Sequence, residues 1–285
     1  MDKFWDFHKY HALGNDYLVI DPDGTKINLT PKAITMICDR HRGIGSDGIL
    51  FGPLFDDKRI RLRIFNPDGS EAEKSGNGIR IFARYLIEAG YVKERRFELI
   101  TAGGAVTVEA LDENASLIKV DMGKVSFSSS DIPAAGPVRE VVDEELIVQG
   151  ELYRATCLSI GNPHCAIPVG DPTSALARRI GPYVERHPMF PKRINMQLVE
   201  VIDRNAIRIE IWERGAGYTT ASGSSSCAAA SAMFRLGRVG RNVAVHMPGG
   251  VIDIVIREDG NVLMTGEVSG VMSGRFHEDL RERLA

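Results

Sequence analysis

The feature that most constrains this chain is a long internal repeat. Ser75-Gly76-Asn77-Gly78 and Ser222-Gly223-Ser224-Ser225 lie 147 positions apart. The same offset carries Gly14-Asn15 onto Gly161-Asn162, Leu62-Arg63-Ile64-Phe65-Asn66 onto Ile209-Glu210-Ile211-Trp212-Glu213, and Gly90 onto Gly237. Asn15 to Ser75 and Asn162 to Ser222 are both separations of 60, so the copies run without net insertion. The period is far too long for a solenoid. It predicts two similar half-domains related by a pseudo-two-fold axis, with a site in the cleft between them that takes matching groups from each.

In each copy a Ser-Gly step precedes an apolar run, Ile79 to Leu86 and Ala228 to Phe234, and each run ends at a glycine, Gly90 or Gly237. That is a helix with its start and stop written in. A helix that starts on small residues presents unused backbone N–H groups and a positive dipole end, so it accepts anions. Singly, Ser75 and Ser222 read as ordinary N-caps. As a matched pair, two such starts would hold one carboxylate ligand and place a hydroxyl on either side of it.

The remaining segments are mostly strands. In the first half they are Phe4 to Tyr10, Tyr17 to Ile20, Ile49 to Phe51, Arg59 to Phe65, Phe97 to Thr101, Ala105 to Glu109 and Ser116 to Gly123. His11 to Asp16, Asp21 to Gly24 and Asn66 to Ser70 read as turns. Thr30 and Pro31 start a helix expected to run to about His41. The second half repeats the order. Its strands are Tyr153 to Ser159, Cys165 to Val169, Arg193 to Val199, Ile207 to Trp212, Val243 to His246, Gly250 to Ile256 and Asn261 to Glu267, with a helix from Ala175 to His187. A short helix follows His277. The expected class is α+β, two pseudo-symmetric half-domains, each a curved and mostly antiparallel sheet around a central helix. The expected division is 1–125, joined by the tail 270–285, and 126–269, with the serine-rich stretch from Ser126 to Pro137 as the crossing.

Composition narrows the functions available. Hydrophobic content of 44% and charge of 26% are those of an ordinary globular protein. A net charge of −3 gives no electrostatic case for nucleic acid or an anionic membrane. No apolar run reaches spanning length, and the start of the chain has no signal-like apolar core. Cys38, Cys157, Cys165 and Cys227 are scattered, which is neither a disulfide framework nor a zinc pattern. These features lead us to expect a cytoplasmic protein that binds neither nucleic acid nor membrane. Gly43 to Gly48 lacks the spacing and the Gly-Lys-Ser/Thr ending of a phosphate loop.

The turns supply Asn15, Asn66, Asn77, Asn162, Asn195, Glu213 and Arg214. Each asparagine alone would serve its own turn. Together they supply what an amino-acid ligand needs: acceptors for its ammonium group, donors for its carboxylate and a paired arginine. Glu213 alone reads as half of a surface ion pair. His164 follows Asn162-Pro163 and is placed either to satisfy its turn or to orient or deprotonate a ligand.

At these residues the sequence resembles the diaminopimelate epimerase family. The resemblance rests on Gly14-Asn15-Asp16, Asn66 to Glu73, Ser75-Gly76-Asn77-Gly78, Gly161-Asn162-Pro163-His164 and Glu213-Arg214-Gly215-Ala216-Gly217, in the same order over essentially the whole chain. It implies two barrel-like halves and a homodimer. It also implies inversion at the α-carbon of an amino acid, without pyridoxal phosphate, metal or any other cofactor. Asn15, Asn66, Asn162, Asn195, Glu213 and Arg214 would contact the substrate, and Gly76-Asn77 and Gly223-Ser224 would take its α-carboxylate. The departure is at the centre: Ser75 and Ser222 stand where the family has its acid/base cysteines. Cys227 lies on the second of these helices but does not match either position.

A thiol has an unperturbed pKa of ~8.5, which a helix start can lower. A hydroxyl is a far weaker acid and needs a neighbouring base. His164 and Glu213 are the candidates for that help, so the expected catalytic set is Ser75, Ser222, His164 and Glu213. The alternatives are a sister isomerase or dehydratase of the same fold, and an amino-acid-binding protein that does no chemistry.

Overall fold

The computed structural model describes residues 6–23, 25, 27–57 and 59–284. The chain forms two compact units. One runs to Val120 and resumes at Gly266, and the other is Asp121–Thr265. The fold is a sheet-dominated α+β arrangement in both.

The first unit begins with β1 (Asp6–Ala12) and β2 (Asn15–Ile20), a hairpin closed by Leu13 and Gly14. Both turn residues have positive φ, 54° and 85°, as a tight hairpin turn demands. For Leu13 this is a strained conformation, stored next to Asn15. Next come α1 (Pro31–Cys38), β3 (Ile49–Asp56), β4 (Arg59–Phe65), β5 (Glu71–Ala72), α2 (Gly76–Glu88), β6 (Arg96–Thr101), β7 (Gly104–Ala110) and β8 (Leu117–Lys124). β2 runs parallel to β3, β3 antiparallel to β4, β4 antiparallel to β5 and parallel to β6, and β6 antiparallel to β7.

β8 runs past Val120 into the second unit, whose first whole strand is β9 (Glu144–Val148); from there that unit repeats the scheme element for element. It holds β10 (Glu151–Ser159), β11 (Pro163–Pro168), α3 (Ser174–Glu185), β12 (Asn195–Asp203), β13 (Ala206–Glu213), β14 (Gly217–Thr219), α4 (Gly223–Arg235), β15 (Asn242–Met247), β16 (Gly250–Ile256) and β17 (Asn261–Glu267). β11 is parallel to β12, β12 antiparallel to β13, β13 antiparallel to β14 and parallel to β15, and β15 antiparallel to β16. α2 and α4 are registered at the 147-residue offset at both ends, Gly76 to Gly223 and Glu88 to Arg235. The chain then returns to the first unit through β18 (Ser269–Arg275), antiparallel to β1, and α5 (Glu278–Leu284).

α2 and α4 are the central helices. Every residue from Gly76 to Ala83 is buried, as is every residue from Ser225 to Met233. A helix buried all round must be surrounded, and α4 packs on β10, β11, β12, β13, β15 and β16. Its Ala-rich face lets strands approach from all sides. Among the described residues, no helix is long and apolar enough to cross a membrane.

The structure moves several expected boundaries. α1 stops at Cys38 rather than near His41, because Asp39 Oδ1 accepts the His41 and Arg42 N–H groups at 2.8 and 2.7 Å and turns the chain out of the helix. β1 extends to Ala12, so the turn expected from His11 to Asp16 shrinks to two residues; Phe4 and Trp5 lie outside the described residues. Gly24, the end of the expected turn at Asp21, also lies outside them. β5, β9, β14 and β18 have no counterpart among the expected strands. The stretch Ser126 to Pro137 belongs to the second unit, where Ser126 bridges to Ser159.

Candidate active site

In the first unit the start of α2 meets the β1–β2 turn. Ser75 is the N-cap: its Oγ accepts the Gly78 N–H at 3.1 Å, and the helical ladder begins with Ile79 N–H to Ser75 O at 2.8 Å. The N–H groups of Gly76 and Asn77 precede the ladder and point out of the helix end. Tyr17 brings its hydroxyl to 3.2 Å from Ser75 Oγ. A Cβ at Gly78 would stand 2.9 Å from Leu50 Cδ2 and 3.3 Å from Ser75 Oγ, so a side chain there would displace the Leu50 methyl and crowd the cap.

Asn15 and Asn77 are joined directly, Asn77 Nδ2 donating to Asn15 Oδ1 at 2.9 Å. Asn15 Nδ2 in turn donates to Asp47 Oδ2 at 3.0 Å. Beneath them Asp16 is gripped by Lys9 at 2.8 Å and Arg40 at 2.7 Å, and Arg40 also reaches Asp47 at 2.7 Å. Burial alone would raise the Asp16 carboxyl, but the hydrogen bonds from Arg40 and Lys9 outweigh it and hold the group down to about 2. Asn66 stays in its own turn, with its Nδ2 on Ser70 Oγ at 2.9 Å and its N–H on Ser70 O at 2.9 Å.

The second unit builds the matching helix start. Ser222 caps α4, its Oγ 3.5 Å from the Ser225 N–H, and the ladder begins with Ser226 N–H to Ser222 O at 3.0 Å. The N–H groups of Gly223 and Ser224 again precede it. Ser222 is 5% exposed, and its own N–H reaches Met247 Sδ at 3.5 Å.

His164 sits on β11, fully buried. Its Nε2 lies 2.9 Å from Asn162 Oδ1 and its Nδ1 lies 3.0 Å from Gln197 Nε2, which also donates to Ser225 Oγ at 3.0 Å. With the Gln197 amide oriented in this way, Nδ1 accepts and the ring proton sits on Nε2, aimed at Asn162. Burial pushes the imidazole down to about 3, and the Arg214 charge adds to the shift although the Gln197 hydrogen bond opposes it. The ring is therefore neutral at ordinary pH with both nitrogens engaged. These surroundings favour a brace for Asn162 over the proton-transfer help that the sequence suggested.

Asn195 is also a brace. Its Nδ2 donates to Pro163 O at 2.8 Å and its Oδ1 accepts the Arg214 N–H at 2.9 Å, tying the start of β11 to the Glu213–Gly217 turn. Glu213 ends β13, half-buried, and its carbonyl accepts the Ala216 N–H. Arg214 is exposed, its guanidinium 3.4 Å from Lys192 O. Sequence reasoning missed Tyr17, Asp47, Arg80, Gln197 and Glu185. Of these, Glu185 alone carried a signal, being an acidic residue in the last turn of a helix, against the dipole.

A pH prediction follows from His164. Its folded pKa lies below the unfolded value, so the unfolded chain binds more protons between them. The contribution is fully present above about pH 6.5 and is lost on acidification toward pH 3, at about 1.4 kcal/mol for each unit across that window. Asp16 adds a second loss, below about pH 4 and complete near pH 2. Urea unfolding from pH 7 to 4 should show a steep loss that His164→Gln flattens; parallel profiles for the two proteins would refute the assignment to His164.

Comparison with known proteins shows the family and the fold. The family model described as diaminopimelate epimerase matches residues 7–128 and 156–271. Diaminopimelate epimerase 2 of Nostoc sp. is 52% identical over 275 residues, covering 96% of this chain and 96% of that protein. The diaminopimelate epimerase of Moorella thermoacetica is 41% identical over 277 residues, covering 96% of this chain and 99% of that protein. Among solved structures, a hydroxyproline epimerase from Agrobacterium vitis with trans-4-hydroxy-L-proline bound superposes with a TM-score of 0.70 at 16% identity, over 97% of this chain and 92% of that one. At that identity the likeness is one of fold alone.

Proposed function

The chain belongs to the diaminopimelate epimerase family, and on that premise we infer that it is an isomerase inverting the α-carbon of diaminopimelate, LL to meso, without a cofactor. The observation that carries the reading is the pair of registered helix starts, each with a serine N-cap and two backbone N–H groups ahead of the ladder. Gly76 and Asn77 in one copy, and Gly223 and Ser224 in the other, are the α-carboxylate donors. Holding the carboxylate on N–H groups at a positive helix end also favours the charge that develops when the α-proton leaves. Inversion needs a proton taken from one face of that carbon and one delivered to the other, and Ser75 and Ser222 are the candidate groups.

Each serine oxygen accepts a backbone N–H, but a hydroxyl stays almost wholly protonated near neutral pH. That suits the acid role and leaves the base role weak, which makes this form a slow epimerase. The same observation favours a second reading, an amino-acid-binding protein of this fold that retains the grip and lacks the chemistry. Asn15, Asn66 and Arg214 contact the ligand in our proposal, with Asn162 and Glu213, while His164 and Asn195 act by holding their neighbours. Assembly as a homodimer and a cytoplasmic location belong to the same proposal.

Arg214→Ala tests the grip. A charge-assisted contact to a ligand carboxylate is worth roughly 1.5–3 kcal/mol. Calorimetric titration with LL-diaminopimelate should therefore show affinity falling by about 10- to 100-fold. Unchanged affinity would leave Arg214 as a surface group resting on the Lys192 carbonyl.

A further inference from the structure

Arg80 lies in the core of the first unit, fully buried on α2. A guanidinium is costly to bury, and an apolar side chain would fill a central helix position more cheaply. Its position is specific. One terminal nitrogen donates to Asn77 Oδ1 at 2.9 Å and the other lies 3.5 Å from Gly76 O. Gly266 makes the room, because a Cβ there would stand 3.2 Å from Arg80 Cζ.

From Arg80 a hydrogen-bond chain runs outward in one direction. Arg80 donates to Asn77, Asn77 to Asn15 at 2.9 Å, and Asn15 to Asp47 at 3.0 Å. Asparagine amides can usually be reversed end for end. Here they cannot, because a guanidinium only donates and a carboxylate only accepts. With Arg80 at one end and Asp47 at the other, each amide has one orientation that satisfies both neighbours. Arg40 and the Asp16 N–H hold the Asp47 end, at 2.7 and 3.1 Å.

We propose that Arg80 is a positioning residue that sets the amide polarity of Asn77 and Asn15, and so fixes which groups the α2 start and the β1–β2 turn present to the ligand. The proposal rests on the reading above that this turn and this helix start hold the substrate. Without Arg80, Asn77 Oδ1 loses its donor, Asp47 alone is left to hold the polarity of both amides, and ligand affinity falls although Arg80 itself touches no ligand.

The test is a double-mutant cycle read by calorimetric titration with LL-diaminopimelate. Asn15→Ala and Arg80→Met should each weaken binding by about tenfold. The double variant should bind no more weakly than the worse single one, and Arg80→Lys, which can still donate to Asn77, should recover part of the loss. Full additivity, or an Arg80→Met protein that binds normally, would overturn the positioning role. If the unmodified protein does not bind LL-diaminopimelate, or Asn15→Ala binds as well as it does, the ligand-site reading fails first and the proposal falls with it. Should Arg80→Met not fold, the unmodified protein still decides. The Asn15 and Asn77 side-chain amide protons should exchange slowly by NMR, and exchange at the rate of exposed asparagines would contradict the chain.

Discussion

The double variant Ser75→Cys/Ser222→Cys is expected to exchange the α-hydrogen of LL-diaminopimelate about 10²–10⁴ times faster than the chain as it stands, the range that a competent general base supplies. The reason lies in ionisation rather than geometry. Both serines already sit at helix N-caps, with Oγ 3.1 and 3.5 Å from the N–H groups of Gly78 and Ser225. A thiol at either position meets the helix-end field that lowers thiol pKa values into the working range. A hydroxyl in the same field remains almost wholly protonated. The single variants separate the roles. One cysteine can remove and return a proton on its own face, so each single variant should wash in deuterium with little inversion. If the serine form already exchanges at an ordinary enzymatic rate, another base is at work.

Glu185→Ala is expected to destabilise the protein by about 3 kcal/mol and to weaken ligand binding with it. Glu185 ends α3, 4% exposed, and accepts from Trp212 Nε1 at 2.8 Å and Gly215 N–H at 3.2 Å, with Arg193 at 3.6 Å. Removing it strands two donors beneath the turn that carries Glu213 and Arg214. The half-exposed Arg193 pair adds little, since solvent screens it. Glu185→Gln keeps one acceptor and should lose less. Urea midpoints measure the stability term. A Glu185→Ala protein as stable as the parent would mean that the turn is held by β13 and β14 pairing alone.

What could be read from the sequence, and what could not, divides along physical lines. The central helices were legible because their starts and stops are chemical signals. Ser75 and Ser222 cap, Gly90 and Gly237 terminate, and the 147-residue offset places one helix on the other at both ends. The same repeat predicts matching halves but names no strand partners, and the parallel pairs β2–β3 and β4–β6, with their counterparts β11–β12 and β13–β15, are seen only in the fold. β18 was not legible because nearly every residue in it is exposed and its Ser-Gly-rich sequence has no apolar alternation. β9 is five residues long and is defined by its partner β10 rather than by its own pattern. The candidate ligand groups were found at turns because Asn and Gly advertise turns. The residues that hold them were not found, because Arg80, Gln197 and Asp47 acquire meaning only when the fold brings them to Asn77, His164 and Asn15. Nothing in a linear pattern distinguishes Arg80 from a charged residue on a wet helix face.

The central claim is that this family member works on the α-carbon of diaminopimelate through the two serine-capped helix starts. The most direct measurement is mass spectrometry with chiral separation after incubating the double-cysteine variant with LL-diaminopimelate in deuterated water. The account predicts meso product carrying one deuterium at the inverted α-carbon. LL-diaminopimelate bound and recovered with no deuterium and no inversion would contradict it.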